Sequence, residues 1–161
     1  MNFEFEFADK SQSKELLLSL FEILYTNMSR ITPSDKTKEE ELDEWYSNVY
    51  PAMQKPQRQI VLMLSEGKTV GFFQYYVNEG RFVMEEIQIV PEWQKSGLFG
   101  ALYTWLLPRL EGEISFVEAY AHEKNSLSMA ILEHLGLVKQ SRDGEFYFYR
   151  TEYEKLLKKY L

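Results

Sequence analysis

The residues whose types and spacing could do chemistry gather in the second half of the chain. The stretch Ile87 to Leu106 reads IQIVPEWQKSGLFGALYTWL. An apolar strand pattern runs into Pro91, a short polar turn follows, and Gly97 and Gly100 open a helical pattern. Main-chain N–H groups at a helix start have no acceptor within the helix, and the helix dipole favours negative charge there. Glycine lets the main chain come close to a phosphate. This spacing describes an anion site, or else a capped helix start with solvated Gln94 and Lys95. Just upstream, Glu85 and Glu86 are neighbours on one strand and so face opposite sides of a sheet. Either carboxylate could act as a base from a partly buried cleft. The alternative is one surface carboxylate and one paired with a Lys or Arg. Glu118, Tyr120 and His122 alternate along a later strand. An imidazole at 122 could relay a proton near neutral pH, or be a satisfied or exposed histidine. His134 falls in a helical stretch beside Gly136, where capping or solvation is expected.

These residues need elements to hold them. Asn2 to Phe7 alternates Phe with Glu, the period of a half-buried strand. Ser11 or Ser13 offers an N-cap to an amphipathic helix in which Leu16, Leu17, Leu20, Phe21 and Leu24 recur at helical spacing. A loop at Thr32 to Asp35 precedes a second helix over Lys38 to Val49, acidic in its first turn as the dipole favours. Pro51 and Pro56 bracket a loop. Strands at Gln59 to Leu64 and Thr69 to Val77 flank a turn at Ser65 to Lys68. Asn78 to Gly80 turns into a strand over Phe82 to Val90. A helix from Gly97 to about Leu110, a strand over Ile114 to Ala121 and a helix over Ser126 to Leu135 ended by Gly136 follow. Asp143-Gly144 signals a hairpin, with Phe146 to Tyr149 behind it, and Glu152 to Leu161 reads as a helix. The order β-α-α-β-β-β-α-β-α-β-β-α implies an α/β fold, a mixed sheet with helices on both faces.

The bulk properties narrow the choice of function. At 161 residues, with no repeat and no Gly/Ser linker, one domain over residues 1–161 is the simplest organisation. The chain has no cysteine, which excludes disulfides, thiolate metal sites and a cysteine nucleophile; no metal site is expected. A net charge of -7 argues against a non-specific nucleic-acid binder. The start MNFEFEFADK lacks the pattern of a secretory signal, and no apolar run approaches the roughly 18 residues of a membrane span. A soluble cytoplasmic protein with no membrane partner is expected.

VPEWQKSGLFGAL and the order of elements resemble the acyl-CoA-binding motif of the GCN5-related N-acetyltransferases (GNAT), which is Arg or Gln, two residues, Gly, one residue, then Gly or Ala. Here it reads Gln94, Lys95, Ser96, Gly97, Leu98, Phe99, with Phe99 in the last motif position and Gly100 one place later. The lead-in Ile89, Val90, Pro91, Glu92, Trp93 is similar to that of the family. So is the later stretch from Asn125 to Leu137, an Asn before a helix that ends in Gly136-Leu137, where the family has Gly-Phe. The hairpin EGKTVGFFQ, Glu66 to Gln74, resembles the family's hairpin before the CoA strand. The resemblance covers roughly residues 60 to 140.

The resemblance implies a GNAT fold with a central twisted mixed sheet, acetyl-CoA as cosubstrate, and direct attack of an amine on the thioester in a ternary complex. It implies that the main chain of Ile87, Gln88 and Ile89 receives the thioester oxygen and the pantetheine amides. Gln94, Lys95, Ser96, Gly97, Leu98, Phe99 and Gly100 would hold the pyrophosphate through main-chain N–H groups, and Asn125 would belong to the same cofactor site. Glu85, Glu86 or His122 would then supply the base. The family often has a tyrosine as acid seven residues after the motif Asn, and here that place is Leu132. Tyr103 and Tyr120 are the substitutes to consider, or water. The acidic balance favours a cationic amine acceptor, and dimers are frequent in the family, so a homodimer is an expectation by analogy. Leu132 and Phe99 keep open an alternative, a non-catalytic acyl-CoA-binding or regulatory module. A third reading is a protein of this shape that binds no nucleotide.

Overall fold

The computed structural model describes residues 3–161, and of Gln12 and Ser13 only the main chain. Asn2 as the start of the first strand and the Ser13 side chain as an N-cap therefore lie outside the described residues. The strands are β1 (Glu4–Phe7), β2 (Arg58–Ser65), β3 (Lys68–Asn78), β4 (Arg81–Ile89), β5 (Phe116–His122), β6 (Val138–Asp143) and β7 (Phe146–Glu152). The helices are α1 (Ser13–Met28), α2 (Lys38–Met53), α3 (Leu98–Leu106), α4 (Ser126–His134) and α5 (Tyr153–Tyr160). The seven strands form one sheet in the order β1-β2-β3-β4-β5-β7-β6. It is mixed, because β4 and β5 run parallel through the α3 crossover while β1–β2, β5–β7 and β6–β7 are antiparallel.

The chain packs as two compact units. The first comprises residues up to Gln74 together with Glu86–Leu98. Its core joins Leu17 and Leu20 of α1, Val49 and Met53 of α2, and Ile60, Leu62 and Phe72 of the sheet. Val61 and Met63, on the opposite face of β2, are also buried, so this part of the sheet is covered on both sides. Thr37 caps α2 in a reciprocal capping box: its hydroxyl accepts from the Glu40 N–H and the Glu40 carboxylate accepts from the Thr37 N–H. Two local expectations differ. Pro51 does not open a loop but sits in the last turn of α2. Its missing N–H would have reached the carbonyl of Ser47, and so close to the helix end that is one lost bond in a turn already tightening. Ser11 is not an N-cap acceptor; its N–H and hydroxyl both donate to Asp9 Oδ1 at the 3-10 turn that leads into α1.

Gly71 fixes how closely β3 and β4 approach. A Cβ at this position would lie 2.8 Å from the main-chain oxygen of Gln88 and 3.2 Å from Ile89 Cγ1. Because the nearest atom is backbone, the strand itself must move. Gly71→Ala is expected to destabilise the protein by about 2 kcal/mol, read as a lower urea midpoint at unchanged slope.

The second unit comprises Tyr75–Glu85 and Phe99–Leu161. Tyr103, Leu102, Leu106, Phe82, Val117, Tyr149 and Leu156 are fully buried in it. Helix α3 stops at Leu106 rather than near Leu110, because Pro108 cannot donate and the chain tightens into a 3-10 turn at Leu107–Arg109. Strand β5 starts at Phe116, two residues later than Ile114. Gly136 closes α4 at φ +95°, with the Leu137 N–H on the Leu132 carbonyl and the Gly136 N–H on that of Glu133, a Schellman motif. In the β6–β7 hairpin the turn residues are Gly144 and Glu145, one place beyond the expected Asp143-Gly144, and Gly144 at φ +59° supplies the positive φ.

Glu118 on β5 is buried between two guanidinium groups. Arg150 lies opposite it in register on β7, its Nε 3.1 Å from Oε2, and Arg81 Nη1 donates to Oε1 at 3.2 Å. The Arg150 Nε distance is that of an ion pair without hydrogen-bond alignment, and the guanidinium also lies 3.5 Å over the Phe116 ring. Glu118→Gln keeps the shape and removes the charge, leaving two arginines facing each other. The expected loss is about 2 kcal/mol by chemical denaturation, below the usual cost of breaking a buried pair because both arginines reach solvent.

Candidate functional site

The turn after β4 has an unusual backbone. Pro91–Trp93 form a 3-10 turn, after which Lys95 adopts φ +62° and Gly97 φ +85°, with Ser96 between them at negative φ. A lysine in the left-handed region costs on the order of 1 kcal/mol and persists only where its surroundings impose it. Alternation of φ sign along successive residues turns their N–H groups to one side, the arrangement of anion-binding nests. The next N–H groups, of Leu98, Phe99 and Gly100, begin α3 and have no acceptor within the helix. The Ser96 hydroxyl donates to the Trp93 carbonyl, and the buried Leu98 anchors the helix start. A Cβ built on Gly97 meets no atom within 4 Å, so the space beside the turn is open. Lys95 is exposed and Phe99 half-buried. These features fit a bound diphosphate: clustered donors, an accessible cation and room for the anion.

Strand β4 brings four of the expected residues together with one that sequence reasoning did not single out. The Val90 N–H bonds the Val70 carbonyl, so by alternation the Gln88 main chain faces β3 and that of Ile89 faces away from it. The Ile89 carbonyl is taken by two side-chain amides, Asn27 Nδ2 at 2.9 Å and Gln94 Nε2 at 3.0 Å. Asn27 Nδ2 also donates to Gln88 Oε1 at 3.0 Å, and Gln88 Nε2 donates to Glu86 Oε1 at 2.6 Å. The carbonyl of Ile89 can only accept, which fixes the Asn27 amide; that in turn fixes Gln88 and sets its N–H on the Glu86 carboxylate. Asn27 and Gln88 are buried, Glu86 half-buried. Asn27 continues the apolar stripe of α1, three residues beyond Leu24. A lone amide at a core-facing position was the signal in the sequence.

Glu85 and Ile87 are half-buried on β4. Registered pairing of β4 with β5 runs from Arg81↔Phe116 to Met84↔Ala119, while β4 continues to Ile89 and β5 to His122. The remaining expected residues belong to the second unit. His122 Nδ1 accepts from the Lys124 N–H, so in the neutral ring Nε2 carries the proton and points it at Glu145, 3.2 Å away. Both ring nitrogens are thereby engaged. Asn125 caps α4, its Oδ1 accepting from the Ser128 N–H. Tyr103 is fully buried with its hydroxyl on Met84 Sδ, and burial, reinforced by Tyr160, pushes its pKa far up. Tyr120 is exposed beside Phe148, and Leu132 is buried. Among the described residues no three His, Cys, Asp or Glu side chains cluster to hold a metal, and no helix is long and apolar enough to cross a membrane.

No family profile and no curated protein matches the sequence. Solved structures do match. PaiA N-acetyltransferase from Thermoplasma acidophilum, in complex with coenzyme A, is 15% identical with a TM-score of 0.75, over 95% of this chain and 100% of its own. A GNAT-family protein from Desulfovibrio desulfuricans is 20% identical with a TM-score of 0.70, over 94% of this chain and 99% of its own. YncA from Salmonella typhimurium, with its cofactor acetyl-CoA, is 16% identical with a TM-score of 0.62, over 94% of each chain. The likeness extends over nearly the whole of each chain, so the protein has the fold of the GCN5-related N-acetyltransferases.

Proposed function

We propose that this protein transfers an acetyl group from acetyl-CoA to a primary amine of a small molecule or peptide. The observation that carries this reading is the turn at Lys95–Gly97, where alternating φ signs and a helix start direct N–H groups outward on a fold shared with coenzyme A-bound proteins. Bound acetyl-CoA supplies the activated acyl group. The N–H groups from Lys95 to Gly100 hold the diphosphate, with the Lys95 ammonium adding charge. The Ile87 main chain receives the thioester oxygen. Pantetheine meets the edge of β4 at Ile89 through its N–H, because Asn27 and Gln94 occupy the carbonyl. Glu86 removes the proton from the acceptor ammonium, freeing the lone pair that forms the N–C bond as the C–S bond breaks. Gln88 orients its carboxylate, and it is preferred to His122 because both nitrogens of that ring are engaged. Water protonates the leaving thiolate, since a thiol of ordinary pKa leaves without a strong acid and Leu132 cannot donate. The net charge of -7 favours cationic acceptors during encounter.

A second reading, acyl-CoA binding without turnover, is favoured by the buried, apolar Leu132 in the place where the resemblance expects an acid. Thermal melting with acetyl-CoA tests the shared part: the midpoint rises with ligand concentration, by an increment equivalent to about 2.7 kcal/mol at a hundred times Kd. No rise overturns both readings. Thiol release with a panel of polyamines, aminoglycosides and peptide amines separates them, turnover supporting the enzyme and its absence the binding module.

A further inference from the structure

We propose that Asn27 is a positioning residue for the reaction, acting through Gln88 to orient the Glu86 carboxylate. This rests on the assignment of Glu86 as the base. The chain of amides has one direction only. The Ile89 carbonyl admits only a donor, so both Asn27 N–H groups are spent, one on Ile89 and one on Gln88 Oε1. Gln88 is then left with its N–H toward Glu86, and that contact is the shortest of the three. A donor held on one carboxylate oxygen favours the ionised form and fixes the plane of the group.

The chain is costly in a way that a purely structural device would not be. Asn27 Oδ1 is buried and has no hydrogen-bond partner among the described residues. An amide takes the last core-facing place of the α1 stripe that runs Leu17, Leu20, Leu24, and an unsatisfied buried acceptor opposes folding. Burying a polar side chain at a core-facing position while leaving half its capacity unused makes sense where its other half has a task. The task on the page is to set Gln88. The link runs between α1 and β4 across 61 residues of sequence, so it ties the base to a helix rather than to the strand alone.

The test uses the full chain with acetyl-CoA and the best amine of the panel. Asn27→Leu is expected to lower kcat about tenfold, with KM for both substrates changed less than about twofold. In a Gln88→Met background the same substitution should add little, because both act through one chain. Without substrate, the Glu86 carboxyl titration followed by carbon-13 NMR should move up in either single variant, as a weakened or lost donor raises a carboxyl pKa. Wild-type kcat and an unmoved Glu86 titration in Asn27→Leu would overturn the proposal. So would additive losses in the double variant. If Asn27→Leu fails to fold, Asn27→Ser takes its place, judged by the same kcat, the same titration and the same non-additivity with Gln88→Met. A protein that releases no thiol with any amine would overturn the enzymatic reading, and the titration would still report whether the chain of amides exists. A titration that moves while kcat does not would overturn the role of Asn27 in the reaction and, separately, that of Glu86 as base.

Discussion

Glu86→Gln lowers kcat by roughly a hundredfold or more while the rise in melting temperature with acetyl-CoA stays at its wild-type value. The expectation follows from where the group sits. Glu86 is half-buried on β4 with one oxygen held by Gln88 Nε2 at 2.6 Å. Glutamine at 86 has nearly the same shape but cannot take a proton, so positioning survives and proton removal does not. Glu85→Gln is the paired control, because its side chain projects from the other face of the strand. The measurement is thiol release at saturating acetyl-CoA alongside thermal melts of each variant. Equal activity of Glu86→Gln and wild type would remove this carboxylate from the reaction. A loss confined to Glu85→Gln would move the base to the neighbouring residue.

Gly97→Glu abolishes acetyl-CoA stabilisation, weakening binding by about a hundredfold or more. Two effects contribute and can be separated. Gly97 has φ +85°, so any side chain there carries left-handed strain on the order of 1 kcal/mol. Space is not the obstacle, since a Cβ meets nothing within 4 Å. Gly97→Ala measures the strain alone, and the further loss in Gly97→Glu measures charge repulsion against the diphosphate. That second part should shrink as salt is raised, because the turn is exposed. If Gly97→Glu binds acetyl-CoA as wild type does, the turn is not where the diphosphate lies.

The strand and helix pattern was legible because apolar periodicity is local information. Leu17, Leu20 and Leu24 mark α1 unaided, and Gly136 marks the end of α4. The turn after β4 was legible as a glycine-bearing strand-to-helix junction, but its backbone was not. The sequence points to Gly97 for the positive φ, and nothing about a lysine announces that residue 95 shares it. Pro51 misleads for the opposite reason: a proline penalty that ends a helix in its middle is small in its final turn. The amide chain was the least legible part. Asn27 and Gln88 meet only after folding, and each taken alone is an ordinary polar residue. For His122, sequence supplies the imidazole but not what surrounds it. The Lys124 N–H and Glu145 decide its tautomer, and both come from the local turn and the adjoining hairpin.

Strand β6 has all six of its residues exposed, and its register against β7 slips between Lys139 and Ser141. That irregularity, with Lys139 and Arg142 seated over the Tyr147 ring, spoils the row of amides that a foreign strand would need for a template. The last strand of the sheet is thereby guarded against edge-to-edge aggregation by its own kink and its cations.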